Sequence, residues 1–361
     1  MRHIMKTILI VMILGLTAVL SAAALFFRGR GTTPVITGPD GMPLPGSIAS
    51  LEKIELGGMQ QWILVRGHNK ANPVLLWLHG GPGSAQMPVA RHYNSDLEKD
   101  FVVVHWDQRG AGKSNPKDFD ESTLTLSQFV EDTHQLTQYL NERFHQDKIY
   151  LVGHSWGSTI GLKLAQSYPQ DYYAYVGVSQ VTDRDLSAEI NYAWLLKQIK
   201  EKDNARDISR LEALGLPPYH DHDYYVNFVR LVDAYGGAFD AGFNQLTWIA
   251  VQASEYRFSD LIAYVGGMNR GSGPMWEAAD YNSFNPKVDV PHLDVPVYFF
   301  CGRNDYNTPL EATEQYFNQL DAPQGKHLVV FEKSAHTPFL GEADKFRQEL
   351  LKVKQDTYPG R

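Results

Sequence analysis

The 361-residue sequence contains one cysteine, Cys301. That excludes an intrachain disulfide and any cysteine-based zinc cluster, and it leaves the redox compartment open. Cys301 stands in the apolar run Val297-Tyr298-Phe299-Phe300-Cys301, where a packed strand residue is expected rather than a reactive thiol. Past residue 30 there is no long run of Lys or Arg, and the formal charge is −8. The electrostatic footprint of a nucleic-acid binder is therefore missing, and no nucleic-acid partner is expected. No His-Glu-x-x-His arrangement occurs, and no glycine-rich segment matches a phosphate-binding or dinucleotide loop, so neither a metal nor a cofactor is expected. Internal repeats and low-complexity tracts are absent. What remains is the composition of a packed globular protein, 43% apolar.

One long hydrophobic run is present. Residues 8–27 carry no charge, follow Arg2, His3 and Lys6, and are closed by Arg28 and Arg30. Their length is roughly that needed to cross a bilayer as a helix. Two readings stand: a retained anchor, or a signal peptide cut near Ser21, Ala22, Ala23 and Ala24. The ending in Leu25, Phe26 and Phe27 favours the anchor. The expectation is thus a protein anchored to the membrane by a single helix within residues 1–30, with its catalytic part outside the cytoplasm. Basic residues at both ends give the orientation little contrast. Residues 31–50, rich in Gly, Pro and Thr, read as a linker.

Beyond the linker, short apolar runs alternate with turn chemistry. Residues 53–56 and 61–65 flank Gly57-Gly58, as in a tight hairpin. Runs at 74–78, 101–105, 149–152, 175–178, 297–301 and 328–331 are apolar throughout, which implies strands buried on both faces, as in a parallel sheet. Helical spacing fills several of the gaps. The best case starts at Thr125, where Gln128 completes a capping box and Phe129, Val130, Leu136, Leu140 and Phe144 follow. The expected class is α/β: a mostly parallel sheet with helices on both faces. The core takes residues 51–180 and 286–361. Residues 181–285, aromatic-rich and helix-like, read as an inserted helical cap over the carboxyl edge of the sheet.

The chemistry concentrates at the ends of those strands. The run 148–152 leads into Gly153-His154-Ser155-Trp156-Gly157 and then into a helical pattern ending before Pro169. A serine in such a strand-to-helix turn projects its hydroxyl above the sheet at a helix N-terminus, where free backbone N–H groups can stabilise an oxyanion. A serine hydroxyl needs a base, and the base needs a carboxylate to orient it. In this arrangement the chain order is Ser, acid, His. Asp305 follows the run 297–301 within Gly302-Arg303-Asn304-Asp305, and His336 follows the last strand within Ser334-Ala335-His336. The glycine-rich turn His79-Gly80-Gly81-Pro82-Gly83 follows the strand 74–78, which makes the Gly81 amide, with that of Trp156, the expected oxyanion hole. His154 adjoins the serine but points elsewhere and packs or bonds locally. Asp294 and His292 lie before their strand, at the wrong end of the sheet. His220 and His222 precede the acid in chain order and read as solvated.

Together these motifs resemble the proline iminopeptidase (prolyl aminopeptidase) branch of the α/β-hydrolases. The likeness rests on His79-Gly80-Gly81-Pro82-Gly83, Asp107-Gln108-Arg109-Gly110-Ala111-Gly112-Lys113-Ser114, Ser155-Trp156-Gly157 and Gly302-Arg303-Asn304-Asp305, in that order. It covers about residues 50–180 and 286–350. It implies the α/β-hydrolase fold and acyl transfer to water. Asp107 and Arg109 read as scaffold, bridging loops beneath the site. That branch binds the free amino group of its substrate through cap carboxylates, one of them in a Trp-rich stretch ending Trp-Glu. Here the early cap reads Ala188-Glu189-Ile190-Asn191-Tyr192-Ala193-Trp194, and Trp276-Glu277 comes only near its far end.

The expectation is therefore a serine hydrolase of the aminopeptidase or amidase kind, acting on a small molecule or short peptide. A carboxylic ester hydrolase for small or lipid-like esters is the alternative, followed by a non-catalytic membrane-anchored binding protein. Oligomeric state is left open.

Overall fold

The computed structural model describes residues 30–219 and 221–359. The apolar runs pair into one eight-stranded sheet in the order β1-β2-β4-β3-β5-β6-β7-β8. β1 (Ile48–Leu56) and β2 (Met59–Gly67) form the hairpin around Gly57-Gly58, with Leu56 opposite Met59. β2 runs antiparallel to β4 (Val102–Asp107). From there the sheet is parallel through β3 (Val74–Leu78), β5 (Ile149–His154), β6 (Tyr172–Val178), β7 (Val297–Gly302) and β8 (Lys326–Phe331). This is the expected α/β fold with a mostly parallel sheet.

Period-two alternation sends side chains into a core on each face. On β3, Val74, Leu76 and Leu78 join one core, Leu75 and Trp77 the other. The first is completed by Phe129, Leu136 and Leu140 of the helix Leu126–Phe144 and by Ile160 and Leu164 of the helix Trp156–Ser167. The second is completed by Phe346, Leu350 and Val353 of the helix Ala343–Thr357. Burying a side chain of this size stabilises by roughly 1.5–3 kcal/mol before chain entropy is set against it. Thr125 caps its helix as expected, its hydroxyl accepting the Gln128 N–H at 3.1 Å. The Gln128 side chain turns instead to Asp132, at 2.8 Å, because that buried carboxylate is a stronger acceptor.

Between β6 and β7 strands give way to helices, among them Arg184–Glu201, Ala205–Leu214, His222–Ala234, Phe243–Gln252 and Phe258–Arg270. This insertion has its own core around Leu195, Ile199, Leu211, Phe228 and Leu231. It is fixed to the sheet domain in two ways. The Lys113 ammonium pairs with Asp260 and donates to the Glu255 carbonyl, while the Tyr256 hydroxyl donates to Asp107 at 2.6 Å. The helix Phe258–Arg270 also meets the core backbone to backbone: a Cβ on Gly83 would fall 2.2 Å from the Gly267 carbonyl oxygen, and one on Gly271 would fall 2.8 Å from the Gly83 Cα.

The expectation of a membrane-anchored protein is corrected here. Among the described residues no helix is long and apolar enough to cross a membrane. The longest element, Leu126–Phe144, carries Glu131, Asp132, Glu142 and Arg143 and buries only one face. The segment on which the expectation rested, residues 8–27, lies outside the described residues.

Candidate active site

The sheet order places the ends of β3, β5, β7 and β8 along one edge, where loops of a parallel sheet converge. β5 ends at His154 and a helix begins at Trp156, so Ser155 alone makes the turn. Its backbone sits at φ 51°, ψ −118°. Holding a non-glycine residue there costs on the order of 1–3 kcal/mol. The turn closes only because its flanks lack side chains: a Cβ on Gly157 would lie 2.3 Å from the Leu78 carbonyl oxygen, and one on Gly153 would lie 2.5 Å from that of Gly157. Trp156 is the first residue of the helix, so its N–H has no acceptor within it. The loop after β3 leans on the same turn, since a Cβ on Gly80 would be 3.2 Å from the Ser155 Cβ. Gly81 follows at φ 122°.

The three residues expected at the strand ends meet. Ser155 Oγ lies 2.9 Å from His336 Nε2, and His336 Nδ1 lies 2.9 Å from Asp305 Oδ2. Asp305 also accepts the backbone N–H groups of Asn307 and Thr308, each at 2.8 Å, and the Thr308 hydroxyl at 2.7 Å. Burial pushes its carboxyl up, but His336 and the Thr308 donors outweigh burial and hold it below its usual value. An ionised Asp305 fixes the Nδ1–H tautomer of His336 and leaves Nε2 as the acceptor facing Ser155. Such a line can draw the proton from a serine hydroxyl.

Three polar groups whose roles sequence reasoning missed surround this line: Gln108 and His154, both buried, and Asn307, half-buried. Asn307 places Nδ2 3.1 Å from His336 Nε2, while its Oδ1 accepts the Tyr225 hydroxyl at 2.9 Å. Gln108 takes the Trp156 indole N–H at 3.1 Å and donates to the His79 carbonyl at 3.0 Å, tying the loop after β3 to the elbow. His154 does not bond locally: its Nε2 meets the His336 carbonyl at 2.9 Å and its Nδ1 meets Gln86 at 2.8 Å. Burial, helped by the neighbouring His336, pushes His154 down to about 3, so the ring is neutral and Nε2–H is the donor. The only sequence signal for Gln108 is its place inside Asp107-Gln108-Arg109, and for Asn307 its place two residues after Asp305.

The rival candidates lie elsewhere. His292 pairs with Asp321 and Asp294 on the surface, before β7. His222 meets the Ser272 hydroxyl at 2.9 Å, and His220 lies outside the described residues. Arg109 does bridge loops as expected, clasping Asp132 at 2.9 Å and the Gly57 carbonyl of the β1–β2 hairpin at 3.0 Å. Asp107 accepts the Lys113 N–H of its own loop at 2.8 Å and the Tyr256 hydroxyl of the insertion at 2.6 Å. Among the described residues no three His, Cys, Asp or Glu side chains gather as a metal site would need.

Comparisons with known proteins bear on the family and the fold. The family described as "alpha/beta hydrolase fold" matches residues 73–343, and the chain belongs to it. It is a hydrolase. Within the family it falls in the proline iminopeptidase branch. A probable aminopeptidase of Bacillus subtilis is 34% identical over 313 residues, 86% of this chain and 97% of that one. The proline iminopeptidase of Heyndrickxia coagulans is 28% identical over 280 residues, 76% of this chain and 87% of that one. Among solved structures, a proline iminopeptidase-related protein from Thermus thermophilus superposes with a TM-score of 0.59 at 21% identity, covering 86% of this chain and 99% of that one; at that identity it speaks for the fold alone.

Proposed function

We propose that the chain is a serine hydrolase acting by acyl transfer through Ser155, His336 and Asp305, of the aminopeptidase or amidase kind. One observation carries this reading: the unbroken line from Ser155 Oγ through the imidazole to Asp305, with 2.9 Å at each step. Ser155 Oγ attacks the substrate carbonyl carbon as its proton passes to His336 Nε2. The amides of Gly81 and Trp156 receive the oxyanion. The carbon–nitrogen or carbon–oxygen bond then breaks, the leaving group takes the proton from Nε2, and a water repeats the sequence to free the acid. Residues 181–285 act as the cap over this site. The amide preference rests on the aminopeptidase names of the relatives.

Labelling with a fluorophosphonate probe tests the nucleophile. Wild type is expected to label and Ser155→Ala to stay dark; no label on wild type ends the proposal. Turnover of short-peptide arylamides against short-chain nitrophenyl esters then separates amide from ester chemistry.

A further inference from the structure

Beside Asn307, away from the sheet, a cleft opens between the loop after β7 and the cap. Its wall includes Thr182, Arg184, Asn191, Tyr225, Trp276 and Asn307. Asn307 belongs to both places, since its side chain meets His336 Nε2 at 3.1 Å and the Tyr225 hydroxyl at 2.9 Å. Asn307 therefore links the wall of the cleft to His336 Nε2.

Two atoms on this wall are anomalous. Asn191 is 4% exposed and Thr182 3% exposed, yet Asn191 Oδ1 and Thr182 Oγ1 have no hydrogen-bond partner. The Asn191 amide is oriented, because its Nδ2 donates to the Asn307 carbonyl at 3.3 Å; the free end is an acceptor. Buried polar atoms without partners are uncommon in folded proteins and costly to leave unpaired. The Thr182 hydroxyl can donate or accept, but Asn191 Oδ1 can only accept, and it points to a ligand that brings an N–H or O–H.

Charge narrows the ligand further. Asp185 is the one acidic residue lining the cleft among those described, and it is exposed at the rim. Asp305, nearby, is already committed to His336, Asn307 and Thr308. Arg184, by contrast, is a fixed cation on the wall: its guanidinium lies 4.4 Å from the Tyr281 ring centre and donates to the carbonyls of Tyr281 and Asn282. An ammonium entering here would face a positive charge and find no buried carboxylate. An uncharged donor pairs with Asn191 and packs against Tyr225 and Trp276, whose rings are 4.4 Å apart.

From this we infer that the cleft is the substrate subsite next to the scissile bond and that it selects an uncharged hydrogen-bond donor, such as an acylated amine or a hydroxyl, over a free ammonium, with Asn191 as the selecting residue. The inference rests on the serine-hydrolase reading above and narrows it: a subsite that disfavours a free ammonium speaks for the amidase or esterase side of that reading and against the aminopeptidase side.

The test uses alanine p-nitroanilide and alanine p-nitrophenyl ester, each with its amine free or N-acetylated, at a pH where the free amine is protonated. For the full chain the N-acetylated member of each pair is expected to have a kcat/KM at least about tenfold higher. Asn191→Leu removes the acceptor and lowers turnover of the acetylated form about tenfold or more, so that the ratio of acetylated to free amine falls. Asn191→Asp places a carboxylate on the wall and moves the ratio toward the free amine. Fluorophosphonate labelling runs alongside on every protein: a labelled wild type that prefers the free amine, or that turns over neither pair, overturns the subsite alone. A ratio unmoved in labelled Asn191 variants does the same. A wild type that does not label overturns the hydrolase reading instead.

Discussion

The Nε2 of His154 donates to the backbone carbonyl of His336 at 2.9 Å, so the residue before the elbow serine holds the residue proposed as its base. The Ser179 hydroxyl takes the same carbonyl at 2.9 Å, and the His336 N–H reaches the Ala238 carbonyl at 2.7 Å. A base held from three sides keeps its nitrogen aimed at Ser155. His154→Leu is expected to lower kcat about ten- to hundredfold with KM little changed, since sub-ångström misplacement of a reacting group has effects of that order. Steady-state kinetics on the best substrate of the arylamide and ester panel decide this. An unchanged kcat would show that the bond is structural only.

Asp305→Asn keeps the shape of the acid but offers His336 Nδ1 an amide that can turn its N–H inward. The imidazole then takes the wrong tautomer. The expected loss in kcat is about 10³–10⁴-fold, with thermal unfolding close to wild type. A loss below tenfold would remove Asp305 from the proposed mechanism.

Arg109 and Asp132 form a pair buried to 3% and 0% exposure, with Gln61 and Gln128 completing the carboxylate shell. Removing one partner strands a buried charge. Asp132→Ala or Arg109→Ala is expected to destabilise by about 3–5 kcal/mol, and the combined replacement Arg109→Met with Asp132→Leu by clearly less than the sum. Urea unfolding midpoints of the singles and the double measure the difference.

Acid should unfold this protein by charging buried imidazoles. Burial pushes His79 down to about 4 and both His105 and His154 down to about 3. For groups lowered on folding, the unfolded chain binds the extra protons, so stability is full above the ordinary histidine value of about 6.5 and falls as the pH drops toward 4. Each group is worth on the order of 3 kcal/mol when fully expressed. Asp107 runs the other way: burial raises it to about 6, so its contribution shrinks as the pH rises from the ordinary carboxylate range toward 6. His105→Leu is expected to flatten the acid limb of stability against pH, and Asp107→Asn to steepen it. Equal slopes in chemical denaturation between pH 4 and 6.5 for all three proteins would contradict both.

Strand positions are legible because the runs covered on both faces are apolar at almost every position, with His105 of the run 101–105 the exception. Where one face is polar, legibility drops. The pattern reads the first strand at 53–56, yet β1 begins at Ile48, because Ser50 and Glu52 break the apolar run before it. The site can be read as far as its chain order reaches: Ser155 after β5, Asp305 after β7 and His336 after β8 follow from turn chemistry at strand ends. Asn307, Gln108 and the true role of His154 cannot, because their bonds join segments 29 to 182 residues apart and depend on the fold already being formed. The aromatic content of the cap hides its cleft. Nothing in the sequence singles out Tyr225, and only the folded chain brings its hydroxyl to Asn307 and its ring beside Trp276.

The contact of Gly83 with Gly267 and Gly271 has a bearing on how this enzyme can change over time. Main chain lies directly on main chain there, with no side chains to repack, so the joint cannot adjust by small substitutions. Drift in specificity must then run through residues facing the cleft, such as those on the helix Arg184–Glu201, while the helix Phe258–Arg270 stays where it is. A chimera that exchanges residues 181–285 with a relative should fold only when both sides of that joint come from compatible backbones. Grafting Arg184–Glu201 alone is the easier route to a new specificity.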